Sequence, residues 1–215
     1  MTQALYDELA IVAAALAHPK RLRALNLLFQ GPKPIDALAA LLEESPANTA
    51  AHMKVLRDAG LVVGVREGKY VFQHVSHAVV TPLVLGLRSA AEEIRPAAAR
   101  QHQQNQATAS TITMAELESL MLRGRVLLID LRPREEYEKG HLPGARSLPL
   151  AALPELACTL PRRRRVLVYC RGKYCPNAIR GEAALKERGF RAERLAFGVP
   201  EWIAEGRMPV SELCQ

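Results

Sequence analysis

The sequence predicts two successive domains, a mainly α N-terminal half that ends in a β-hairpin and an α/β C-terminal half built on a parallel sheet. Three observations carry this. Apolar residues recur at helical spacing through the first 60 positions. Two β-branched runs then flank a short glycine-containing turn. Beyond residue 110, short continuous apolar runs alternate with helical stretches, the pattern of buried parallel strands. A chain of 215 residues is long enough for two such domains.

In the first half, Leu5, Leu9, Val12 and Leu16 predict a helix that His18-Pro19 ends. Leu22, Leu25, Leu28 and Phe29 form a second apolar face, closed by Gly31-Pro32, and Ile35, Leu38, Ala39 and Leu42 a third. Ser45-Pro46 reads as an N-cap followed by proline at the first helical position, opening a fourth helix to about Ala59, with Gly60 as its stop. LVVGV and YVFQHV around Arg66-Glu67-Gly68-Lys69 predict the hairpin, and Leu83, Leu87, Ala91 and Ile94 a last helix. The domain is expected to span 1–95. Residues 96–110, within RPAAARQHQQNQATAS, carry no large apolar side chain and read as a linker or a fraying helix end. VLLID, VLVY and a helix over Asn177–Arg188 then mark the second domain, 111–215.

Composition excludes several classes. No apolar run approaches the ~20 residues that span a bilayer. The start MTQALYDELA has acids and no basic stretch before an apolar one, so no secretion signal is expected and the predicted location is cytoplasmic. Four cysteines are too few for a disulfide scaffold, and the close pair Cys170 and Cys175 points to catalysis, redox chemistry or metal binding. The net charge of +7 divides as +2 over residues 1–110 (11 basic, 9 acidic) and +5 over 111–215 (18 basic, 13 acidic). Basic charge therefore supports nucleic-acid binding only weakly.

In the helix from Pro46, Met53 and Leu56 point inward, leaving Asn48, His52 and Thr49 as candidates for the outer face, with Ser45 at its start and Lys54 further along. Asparagine can pair with an adenine edge in the major groove. Arg66 and Lys69 at the hairpin tip are placed for phosphate or minor-groove contacts. The plainer reading is that these are solvated helix and turn residues. The order helix, helix, helix, helix, hairpin, helix is that of a winged helix-turn-helix. AHPKRLRALNLLFQG, followed by NTAAHMKVLRDAGLVVGVREGKYVFQHV, resembles the ArsR/SmtB family of bacterial repressors over roughly residues 4–95. The resemblance implies a homodimer, built through terminal helices, on an inverted-repeat operator in double-stranded DNA. The family often carries a Cys-x-Cys metal motif on its third helix. Here that stretch is GPKPIDALA, and His74 and His77 do not complete a ligand set, so no metal site is expected. Ala51 stands where many relatives have a long polar side chain.

VLVY runs straight into CRGKYC, and Pro176 can open a helix. Loop amides and a helix N-terminus stabilise anions and lower a thiol's pKa, and Arg171 and Lys173 add to that field. A Cys170 thiolate here could attack the outer sulfur of an anionic donor such as thiosulfate or polysulfide. IDLRPREEYEKGHLPGARSLPL, VLVYCRGKYC and GFRAERLAFGVPEW together resemble the rhodanese domain over roughly 112–208. The resemblance implies Cys170 as nucleophile, Arg171, Gly172, Lys173, Tyr174 and Cys175 as the active-site loop, and Asp130 and Arg132 as its conformational supports. Gly198 and Trp202 match the family's closing pair and read as turn and core, while Glu135 and His141 read as structural. Cys175 and Pro176 stand where related loops and phosphatases place arginine, which sets phosphate-ester hydrolysis below sulfur transfer. Cys175 either resolves a Cys170 persulfide or sulfenate, or fills a small space at the helix start. Cys158, Cys214 and the Arg162–Arg165 run read as incidental surface features.

The expected function is a DNA-binding transcriptional regulator, a repressor, that responds to reactive sulfur or redox state through Cys170, with no cofactor. The alternatives are a thiosulfate-type sulfurtransferase using the winged helix for dimerisation, and a catalytically idle interaction module.

Overall fold

The computed structural model describes residues 2–211, so Cys214 lies outside the described residues. The chain divides into two compact units between Val84 and Leu85. The first unit opens with α1 (Gln3–Leu16) and α2 (Pro19–Leu28), then β1 (Lys33–Pro34), α3 (Ile35–Leu42) and α4 (Pro46–Asp58). It closes with β2 (Val62–Glu67), β3 (Tyr70–Val75) and the start of α5 (Val80–Ile94). His18 caps α2 by accepting the amide of Lys20 on its ring nitrogen, and Ser45 caps α4 by accepting that of Asn48; a proline follows each cap. β2 and β3 pair antiparallel from Val62 opposite Val75 to Glu67 opposite Tyr70, leaving Gly68 and Lys69 as a two-residue turn. Gly68 sits at φ 61°, the left-handed conformation that such turns require. β1 adds to β3 as a third strand. Leu25, Leu38, Leu42, Met53 and Leu56 are fully buried at the centre of this unit, each stabilising it by about 1.5–3 kcal/mol.

The second unit contains the rest of α5, α6 (Pro96–Gln106), α7 (Met114–Leu122), β4 (Val126–Asp130), α8 (Arg134–Lys139), β5 (Arg146–Ser147) and α9 (Leu153–Leu156). It ends with β6 (Arg165–Tyr169), α10 (Pro176–Glu187), β7 (Ala192–Arg194) and α11 (Val199–Ala204). The sheet order is β5-β4-β6-β7, and all its pairings are parallel. The central strands are buried on both faces, which is why VLLID and VLVY are continuously apolar. Leu128, Leu167 and Tyr169 pack on one side with Trp202, and Leu127, Ile129, Val166 and Val168 on the other with Leu185. The polar stretch after Arg95 is a helix for most of its length, α6, opened by Pro96 at its first position. Among the described residues, no helix is long and apolar enough to cross a membrane.

Candidate functional site

At the end of β6 the chain leaves the sheet through Cys170, passes Gly172 at φ 133°, and enters α10 with Cys175 as N-cap and Pro176 at the first helical position. Cys170 is 2% exposed, Cys175 is half-buried, and both are free. Their sulfurs lie 2.9 Å apart, a hydrogen-bonded contact well beyond the ~2.05 Å of a disulfide. The Cys175 thiol is pulled down to about 6 by its hydrogen bond with Cys170 and by backbone amides of Arg171, Asn177 and Ala178, which outweigh its burial. The same hydrogen bond and burial push Cys170 up. The reduced pair thus gives up one proton readily and holds the other, the remaining charge shared across the 2.9 Å contact and facing the loop and α10 amides.

The loop's cations are engaged. Arg171 makes a two-pronged pair with Glu136 at 2.7–3.1 Å. Lys173 Nζ lies 2.9 Å from Glu92, which also accepts from the Tyr174 hydroxyl at 2.6 Å. Burial raises the Glu92 carboxyl, but hydrogen bonds from Tyr174 and Lys173 outweigh it and leave it below its ordinary range. Glu201 accepts from Gly198 N–H at 2.9 Å, from Arg88 at 2.8 Å and from Lys173 N–H at 3.4 Å. His102 and Asn105 of α6 reach the loop as well, at the Tyr174 hydroxyl and the Lys173 carbonyl. A Cβ on Gly198 would stand 2.6 Å from the Cys170 carbonyl oxygen and 2.9 Å from Gly172 N, so the closing glycine makes room for the loop.

Asp130 and Arg132 form a fully buried pair at 2.6–3.0 Å. Arg132 also donates to the Gly140 carbonyl, and the Tyr169 hydroxyl to Asp130 at 2.6 Å. They brace the C-terminal ends of β4 and β6, from which the loop springs. His141 is buried and stacked on Tyr137, Glu135 is exposed, and Trp202 is core with its indole N–H on the Met208 carbonyl. Cys158 is exposed. Glu92, Glu136 and Glu201 are not legible in the sequence, since nothing in their local patterns announces a partner 28 to 113 residues away.

In the first unit α4 presents Asn48, Ala51, Lys54 and Val55 outward. Asn48 donates to Glu44 at 3.2 Å, and Lys54 pairs with Asp58 at 2.5 Å. His52 is half-buried beside His18, ring centroids 4.6 Å apart; burial and then that neighbour hold its pKa below the ordinary value. Thr49 is fully buried. It precedes Met53 and Leu56 by four and seven residues, so it shares their inward face and does not reach a base edge. Arg66 and Lys69 are exposed at the hairpin tip, the first bonded to the Gly68 carbonyl and the second over the Tyr70 ring.

Comparison with known proteins matches the family model "Bacterial regulatory protein, arsR family" over residues 18–63 and "Rhodanese-like domain" over 113–205. The chain is 34% identical over 213 residues to the HTH-type transcriptional regulator Rv0324 of Mycobacterium tuberculosis, covering 97% of this chain and 92% of that one. The chain belongs to the ArsR family. It is an ArsR-family transcriptional regulator that carries a rhodanese domain. The HTH-type transcriptional regulator NmtR of the same organism is 38% identical over 30% of this chain and 53% of its own length. A sulfurtransferase of Allochromatium vinosum is 32% identical over 38% of this chain and 75% of its own length.

Proposed function

We propose that this regulator is a cytoplasmic homodimeric repressor on an inverted-repeat operator, whose DNA affinity responds to reactive sulfur or redox state at the Cys170–Cys175 pair. The observation that carries the reading is the contact of two free thiols at 2.9 Å, one of them an N-cap on the loop where the matched domain family keeps its nucleophile. With the pair's shared proton on Cys175, the Cys170 thiolate attacks the outer sulfur of a sulfane donor. A new S–S bond forms on Cys170, the donor's own S–S bond breaks, and the remainder leaves with the electron pair. The proton moves from Cys175 to the terminal sulfur. The Cys175 thiolate then attacks Cys170 Sγ, forming the disulfide and expelling hydrosulfide. On the DNA side, Ser45, Asn48, Lys54, Arg66 and Lys69 are the exposed contact candidates, with half-buried His52 behind them.

Operator binding at fixed salt, before and after polysulfide treatment, tests this. The wild type is expected to change affinity by about 5- to 150-fold, the usual span of allosteric coupling, and Cys170→Ser to show no change. An equal response in Cys170→Ser removes Cys170 from the mechanism. The sulfurtransferase match supports a second reading, in which turnover is the main task and the winged helix serves for dimerisation. Thiocyanate formation from thiosulfate and cyanide, with no specific operator, would favour it.

A further inference from the structure

The rim of the Cys170 loop offers three cations, Arg88, Arg171 and Lys173, and each faces a carboxylate at 2.7–2.9 Å: Glu201, Glu136 and Glu92. The carboxylates are only 5–12% exposed, so solvent and salt screen these pairs weakly. Glu201 also occupies the Lys173 amide, one of the donors an incoming anion would need. The site is therefore balanced in charge before any donor arrives.

A compact dianion such as thiosulfate meets cations whose charge is already neutralised, and gaining a full pair with one of them means weakening a carboxylate's ion pair at a poorly screened site. An organic hydropersulfide, R–S–SH, carries at most one charge on sulfur and needs no such exchange. Resting on the sulfur-transfer reading above, we infer that the donor for Cys170 is an organic hydropersulfide and not thiosulfate, with Glu92 as a specificity-determining residue that neutralises Lys173. The step balances without a further reactant. The Cys170 thiolate attacks the outer sulfur of R–S–SH, the new S–S bond forms as the old one breaks, RS⁻ leaves, and the proton stays on the transferred sulfur.

The test follows one-sulfur mass gain at Cys170 in the full-length protein. It uses thiosulfate and the hydropersulfide of N-acetylcysteine methyl ester at matched ionic strength. Each rate is divided by that of the same donor with free cysteine, which removes intrinsic reactivity. The wild-type ratio is expected to favour the hydropersulfide by at least about tenfold, the weight of one poorly screened charge. Glu92→Gln is expected to reduce that ratio by lowering the KM for thiosulfate. A normalised ratio near one overturns the donor assignment while leaving sulfur chemistry at Cys170 intact, as does a ratio unmoved in folded Glu92→Gln. If neither donor sulfurates Cys170, the functional reading falls and this inference with it. Should Glu92→Gln fail to fold, the wild-type ratio decides alone.

Discussion

At the scale of single residues, the hydrogen bond between two thiols of one short loop, backed by loop and helix amides, lets the pair lose its first proton easily and hold the second tightly. With the Cys175 thiol lowered from 9.0 to about 6, the folded state binds the thiolate more tightly than the unfolded chain does. That stabilisation is complete above pH 9, declines between pH 9 and 6, and is lost as pH falls through 6. Wild type should therefore lose more stability than Cys175→Ser over that window, as denaturant midpoints against pH will show. A parallel pair of curves would rule the assignment out. Gly198 makes a second residue-scale prediction. In Gly198→Ala the new methyl meets the Cys170 carbonyl at 2.6 Å, so stability should fall by about 1–3 kcal/mol, with altered alkylation of the loop thiols. The loop itself is legible in the sequence because strand, glycine and Pro176 are contiguous there. Its carboxylates are not, because Glu92, Glu136 and Glu201 meet it only after folding. Thr49 shows the same limit from the other side: a polar residue read as outward, which helical spacing from Met53 and Leu56 places inside.

At the scale of elements, α1–α5, α10, the hairpin and the central strands β4 and β6 follow from periodicity, whereas the short strands β1, β5 and β7 and the helix α6 do not. The α6 sequence has no apolar stripe, so pattern alone reads as a linker or a fraying helix end. What holds α6 is polar and long-range. Asn105 donates to the Lys173 carbonyl at 2.8 Å, its own carbonyl accepts from Arg194 at 2.7 Å, and His102 meets Tyr174 at 3.0 Å. Such contacts leave no trace in local spacing, yet a buried amide with its bonds made contributes appreciably. Asn105→Ala should cost about 1–3 kcal/mol, concentrated in α6. Hydrogen exchange would then quicken over 96–106 while β4 and β6 stay protected. Uniform acceleration across the sheet would mean that α6 is not held by this contact.

At the scale of the molecule, α1 has more apolar surface than its own unit covers. Val12, Ala15 and Leu16 pack into the first core, but Leu5 and Leu9, on the same periodic face, are 44% and 50% exposed, with Tyr6 on the flank of that face equally open. A contiguous apolar stretch of this kind is what an interface between copies requires, and a symmetric operator requires two reading helices. Leu9→Glu places a charge in that surface while leaving Val12 and Leu16 in the core, so the chain should still fold. Sedimentation should then shift from dimer toward monomer. Operator affinity should fall by at least about tenfold, since each half-site is bound alone, while sulfuration of Cys170 proceeds as in the wild type. A Leu9→Glu protein that stays dimeric and binds its operator unchanged would place the dimer contact elsewhere on the chain.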